Sequence, residues 1–187
     1  MANSRTGSLG KVAIVGTGAI GGFYGGLLAR SGQQVHFLFR SDYEVAKEQG
    51  LRVTLLDEPR DTFRVKPLLA YCDAGEIGPC DWIIVATKST ANPRLVEVLR
   101  PMLDAQTAML TLQNGMGNVE WLRNSFGPSR RVVAGLCFTC SNRVAPAEVV
   151  NYFPGYVQFG EPVGPLSGEG QQVIKAFREF KQDTLID

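Results

Sequence analysis

Val12-Ala-Ile-Val-Gly16-Thr17-Gly18-Ala19-Ile20-Gly21-Gly22-Phe-Tyr-Gly25-Gly26-Leu-Leu-Ala29 is the stretch on which the fold turns. Its eighteen residues carry no charge and follow Arg5 and Lys11, an arrangement shared with signal peptides and membrane spans. Six of them are glycines, and glycine opposes continuous helix by about 1 kcal/mol per residue. A strand from Val12 to Val15, a glycine turn, and a helix from about Ala19 to Arg30 stopped at Gly32 account for the same letters. The wholly apolar run before Gly16 suits a strand covered on both faces of a parallel sheet. The stretch therefore predicts the opening of an α/β fold and not a targeting segment or a membrane span.

Beyond Gly32, Val35 to Phe39 reads as a second strand and Tyr43 to Gln49 as a short helix closed by Gly50. Leu51 to Leu55 and Thr62 to Val65 flank the charged, Pro-containing turn Asp57 to Asp61, which predicts a hairpin. Asp81 to Thr87 is a strong strand, and Asn92-Pro93 offers an N-cap and a first-turn proline for a helix through about Leu103. Ala108 to Leu112 reads as a strand and Asn118 to Phe126 as a helix. Val132 to Phe138, Glu148 to Phe153 and Tyr156 to Gly160 read as strands, and Gln171 to Lys181 as a last helix. Strand–helix alternation followed by consecutive strands predicts a Rossmann-type doubly wound α/β fold, a mainly parallel sheet with a few antiparallel edge strands. Residues 1–10 are small and polar and predict a flexible tail, leaving 11–187 as one domain.

The composition is that of an ordinary globular chain: 187 residues, 44% hydrophobic and 20% charged. A formal net charge of +1 gives no electrostatic reason to expect nucleic acid or an anionic membrane as partner. Cys137-Phe-Thr-Cys140 has the spacing of redox and zinc sites. It lies on an apolar strand, however, where residues three apart point to opposite faces. No second such pair follows, and His36 is the sole histidine. We expect buried thiols and no metal. With Cys72 and Cys80 they suit a reducing, cytoplasmic setting.

Gly16-Thr17-Gly18-Ala19-Ile20-Gly21 is G-x-G-x-x-G between a strand and a helix, the context a dinucleotide-binding turn requires. Gly16 allows the tight turn, Gly18 lets a pyrophosphate approach the backbone, and Gly21 lets helix and sheet pack closely. At the end of the second strand, an NAD site carries Asp or Glu for the ribose 2′-hydroxyl. Here Arg40 and Ser41 stand instead, a guanidinium and a hydroxyl able to hold a 2′-phosphate, so NADP (NADPH) is favoured. Asp42 would oppose that phosphate if it pointed inward, and Arg40 also fits a solvated surface charge. Lys88 ends the Asp81 strand, where ligands lie in open α/β sheets, although a strand-end lysine is often merely exposed. Leu112-Gln113-Asn114-Gly115-Met116-Gly117 follows another strand. Asn114 could meet cofactor or substrate there, or simply form an Asn-Gly turn.

Together these residues resemble the N-terminal, NADP-binding half of the ketopantoate (2-dehydropantoate) reductase family, from about Lys11 to Lys181. The resemblance implies a glycine loop on the pyrophosphate and Arg40 and Lys88 on the adenosine phosphate end. It implies that Asn114 lies between nicotinamide and substrate, and that Ser141 falls near a further cofactor contact. It implies NADPH-dependent reduction of a small 2-keto acid, 2-dehydropantoate to pantoate, on the route to pantothenate and coenzyme A. The family's proton-donating lysine belongs to a helical C-terminal domain, so no catalytic residue is expected among these 187, and the chain alone is expected to turn over little. A surface left bare by that domain would favour self-association or contact with it. Two alternatives stay open: the cofactor domain of another NADP-dependent keto or hydroxy acid dehydrogenase, and a non-enzymatic nucleotide-sensing module.

Overall fold

The computed structural model describes residues 8–57, 59–179 and 183–186. Most of the expected tail (residues 1–7) and Lys181 lie outside them. Leu9 packs in the core, and its N–H donates to Gln33 Oε1 at 2.9 Å.

The chain runs β1 (Lys11–Val15), α1 (Ala19–Arg30), β2 (Gln34–Leu38), α2 (Tyr43–Gln49), β3 (Leu51–Leu55), β4 (Asp61–Val65), β5 (Leu69–Tyr71) and α3 (Ala74–Ile77). It continues with β6 (Trp82–Val85), α4 (Asn92–Leu99), β7 (Ala108–Thr111), α5 (Asn118–Phe126), β8 (Val132–Ala145), β9 (Glu148–Gly160), α6 (Gly168–Glu179) and β10 (Asp183–Ile186). One sheet contains every strand, in the order β4-β3-β9-β8-β7-β6-β1-β2-β5, with β10 alongside β9. From β5 to β8 all neighbours are parallel. That half has the doubly wound Rossmann order, with its switch point between β1 and β6. The antiparallel pairs are β3–β4 and β8–β9. Of these antiparallel strands β4 alone is an edge; β3, β8 and β9 lie inside the sheet, and the opposite edge is the parallel strand β5.

Alternation along β1 explains the two cores. Val12 and Ile14 join the cluster around α1, while Ala13 and Val15 join the cluster formed with Leu95, Leu99 and Leu122 of α4 and α5. The α1 side is the unusual one, because the sheet curls around the helix. A Cβ on Gly25 would sit 2.6 Å from Phe37 and 2.9 Å from Ile14, on β2 and β1. One on Gly22 would sit 2.8 Å from Val149 of β9, and one on Gly26 2.7 Å from Val53 of β3. Two glycine stripes thus let both limbs of the sheet close on one helix.

The structure departs from the sequence reading in a few places. β5 and α3 have too few residues for a periodic signal, α3 being a single turn capped by Asp73, which accepts from the Gly75 N–H at 2.8 Å. β8 runs on to Ala145, and β9 is continuous where two strands are predicted. The β8–β9 register shifts between Phe138 and Cys140, and Gly155 absorbs the irregularity at φ +59°. The N-cap of α4 is Ala91 and not Asn92. Asn92 is the first helical residue, its side chain drawn into a buried polar network. α4 ends at Leu99, before a 3₁₀ turn over Arg100–Met102, short of the predicted Leu103.

If both glycine stripes are packing contacts, Gly25→Val should cost about 2 kcal/mol or more through overpacking against Phe37 and Ile14. Chemical denaturation measures this, and unchanged stability would contradict the contact.

Candidate functional site

Gly16 follows β1 at φ +99°, and a Cβ there would lie 2.6 Å from the Thr87 backbone nitrogen just beyond β6. The glycine turn is therefore pressed against the switch point itself. Thr17 Oγ1 donates to the Leu38 carbonyl at 3.4 Å, tying the turn to the end of β2. Gly21 would place a Cβ 2.1 Å from the Gly16 carbonyl oxygen, so the helix start rests on its own turn as well as on Ile14 of the sheet. Gly18 is the N-cap of α1, with no side-chain cap and no acidic residue in the first turn. Its Cβ position faces open space for 4 Å. The first N–H groups of α1, from Gly18 through half-buried Ala19 and Ile20, thus keep an uncapped positive helix end, suited to an anion.

Arg40 and Ser41 are exposed just past β2. Among the described residues Arg40 has no carboxylate partner. Asp42 is buried, and its carboxylate accepts from Ser41 Oγ (2.8 Å), Arg143 Nη1 (2.6 Å) and the Ala147 N–H (3.3 Å). Burial alone would raise its pKa. The bonds from Ser41, Arg143 and Ala147 outweigh that and hold the carboxyl below its ordinary range.

Lys88 is exposed at the N-cap of the 3₁₀ turn Ser89–Ala91 that follows β6. Asn114 is exposed after β7, and its side-chain amide makes no hydrogen bond among the described residues. Beneath both loops lies a network of buried amides. Gln113 Nε2 donates to Asn92 Oδ1 (2.8 Å) and Thr87 Oγ1 (3.1 Å), and Thr111 Oγ1 donates to Gln113 Oε1 (3.3 Å). Asn92 Nδ2 donates to Asn118 Oδ1 (3.3 Å), and Asn118 Nδ2 donates to the carbonyls of Asn114 (3.2 Å) and Gly115 (3.1 Å). The network locks the Lys88 and Asn114 loops together.

The glycine turn, Arg40 with Ser41, Lys88 and Asn114 thus occupy the carboxyl ends of β1, β2, β6 and β7, four neighbouring parallel strands. Ser141 stands apart on the β8 extension. Its hydroxyl accepts from Asn151 Nδ2 at 2.8 Å, and no hydrogen bond joins it to the glycine turn, Arg40 or Lys88 among the described residues. Sequence reasoning missed Arg143, Asn92, Asn118 and Asn151 as organising groups. Asn151, fully buried on β9, is betrayed only by its polarity within a strand.

The Cys137–Cys140 pair is split between faces as expected, but Cys137 is only half-buried. Burial pushes its thiol up to about 12, whereas Cys140 is exposed and corrects the expectation of two buried thiols. Among the described residues no cluster of three or more His, Cys, Asp or Glu could hold a metal ion, and no helix is long and apolar enough to cross a membrane.

Two outcomes follow from this geometry. Gln113→Leu leaves Asn92 Oδ1 without its donor and the Thr111 hydroxyl without its acceptor, and should cost about 1–3 kcal/mol in urea unfolding. Because the folded pKa of Asp42 is depressed, its contribution should be complete above the unfolded carboxyl pKa and be lost as pH falls through the folded value. Asp42→Asn should flatten that acid limb of the stability curve, and an unchanged limb would contradict the assignment.

The chain is similar to several known proteins. The family model described as Ketopantoate reductase PanE/ApbA matches residues 12–164. A 2-dehydropantoate 2-reductase from Nostoc sp. is 38% identical, over 86% of this chain and 49% of that protein. One from Archaeoglobus fulgidus is 31% identical, over 90% of this chain and 53% of that protein. The crystal structure of 2-dehydropantoate 2-reductase from Geobacter metallireducens superposes with a TM-score of 0.89 at 40% identity, covering 95% of this chain and 57% of that one. D-mandelate dehydrogenase, solved with NADH and anilino(oxo)acetate, shares the fold at a TM-score of 0.82 and 21% identity, covering 95% of this chain and 56% of that one. The chain spans about half the length of the curated relatives it matches.

Proposed function

The chain belongs to the ketopantoate reductase family, and from that premise we propose that residues 11–187 form the NADP-binding domain of a cytoplasmic 2-dehydropantoate 2-reductase serving pantothenate and coenzyme A synthesis. The observation that carries this is the uncapped start of α1 and exposed Arg40, without a carboxylate partner among the described residues, at neighbouring strand ends. Gly16, Thr17, Gly18, Ala19, Ile20 and Gly21 would hold the pyrophosphate against the helix N–H groups. Arg40 would take the 2′-phosphate, in keeping with the lack of an acidic residue in its place, and Ser41 would add a hydrogen bond by turning its hydroxyl away from Asp42. Lys88 would add charge at the adenosine phosphate end. The Asn114 amide, without a hydrogen bond among the described residues, can donate and accept, as a group between nicotinamide and keto acid would. Ser141 would be a further contact.

When bound, NADPH supplies the hydride. The protein's own tasks are to hold the cofactor, orient the ketone and deliver a proton to its oxygen. We assign the proton donor to a helical catalytic half, outside residues 1–187. On that assignment this polypeptide binds the cofactor and reduces 2-dehydropantoate only in traces, and restoring the helical half restores turnover. Family-level turnover by residues 1–187 alone would overturn the assignment.

Calorimetric titration tests the cofactor reading. NADPH should bind more tightly than NADH. A bidentate charged contact contributes roughly 1.5–3 kcal/mol, so Arg40→Ala should reduce the preference by about ten-fold or more. Gly18→Val should abolish binding while leaving the domain folded, since its side chain would occupy open space. Equal affinities for the two cofactors in the unmutated chain would contradict NADP specificity.

A further inference from the structure

We propose that Arg143 is a specificity-determining residue for the cofactor, acting by neutralising Asp42 beside the ribose 2′ position. This rests on the NADP reading above and adds a residue that reading does not contain. Arg40, Ser41 and Asp42 put a cation, a hydroxyl and an anion on three consecutive residues at the end of β2. A free carboxylate there favours a ribose diol, from which it accepts hydrogen bonds, and repels a 2′-phosphate. Asp42 is not free. Oδ1 accepts from Ser41, while Oδ2 accepts from Arg143 at 2.6 Å and from the Ala147 N–H at 3.3 Å.

The partner comes from 101 residues away. β8 pairs with β7 only over Val132–Ala134, and its extension carries Arg143 across to the β2–α2 junction. The turn that ends the extension is fastened at the same place. Ala147 adopts φ +53°, its N–H donating to Asp42 and its carbonyl accepting from the Arg52 N–H at 2.9 Å. The Arg143 side chain remains nearly half exposed. With Arg143 in place the cluster of Arg40, Asp42 and Arg143 is net cationic, as a phosphate requires. Without it the cluster is neutral, and the carboxylate keeps its charge with only the Ser41 and Ala147 donors beside it.

The experiment measures NADPH and NADH affinities by calorimetry for the unmutated chain and for Arg143→Ala, Arg143→Lys, Asp42→Asn and the Arg143→Ala/Asp42→Asn double variant. Arg143→Ala should lower the NADPH-to-NADH affinity ratio about ten-fold, the scale of one partly screened charge beside a phosphate. The double variant should regain most of that ratio, and Arg143→Lys should keep it. A ratio untouched by Arg143→Ala, or equal losses for both cofactors, overturns the proposal while the cofactor reading stands. A double variant no more selective than Arg143→Ala also overturns it, because Arg143 would then not act through Asp42. If Asp42→Asn variants do not fold, equal ratios in Arg143→Lys and Arg143→Ala overturn it instead. An unmutated chain that binds neither cofactor removes the cofactor reading and this inference together.

Discussion

The contact between Gly21 and the Gly16 carbonyl, extended along α1 by Gly22, Gly25 and Gly26, is the constraint on which the rest of the structure depends. Side chains at these positions would hold the helix away from the sheet by the width of a methyl group or more. Their absence lets β1 and β2 close on one side of the helix and β3 and β9 on the other. The helix axis is then fixed between two walls, and its uncapped end is aimed at the crevice between β1 and β6. An anion-binding helix end is useful only if it does not move, and packing on two sides supplies that rigidity.

Closure of the sheet around α1 has a second consequence. It requires β8 and β9 to run past the parallel core, and this overreach carries Arg143 and Ala147 to Asp42. On the other side of the switch point, the Gln113, Asn92 and Asn118 amides lock the loops after β6 and β7 into one body. Buried amides left unpaired are costly, so a fully bonded set of this kind specifies a single loop arrangement. The strand ends are thus held from both flanks by polar contacts between distant segments, while the apolar cores fix the layers beneath.

Much of this was legible in the sequence where the signal is local. The β1–turn–α1 unit, α2 closed by Gly50 and α5 over Asn118–Phe126 depend on apolar runs, caps and glycine stops within a dozen residues. Asn92 misled because a capping residue and a network residue look alike; its amide found buried partners from the β7 end and α5. The continuity of β9 through Pro154 and Gly155 depends on its neighbours in the sheet, not on its own composition. Nothing local marks Arg143 as the partner of Asp42. The glycine turn, Arg40, Lys88 and Asn114 could be placed beforehand because each ends a recognisable strand, whereas Ser141 belongs to a strand extension whose path only the folded sheet defines.

The most direct measurement is a crystal structure of the chain grown with NADPH. The pyrophosphate oxygens should accept from the N–H groups of Gly18, Ala19 or Ile20 at about 3.2 Å or less, with the 2′-phosphate within the same reach of Arg40. Cofactor bound with its pyrophosphate away from the start of α1, or with its adenosine end away from Arg40, would contradict the account.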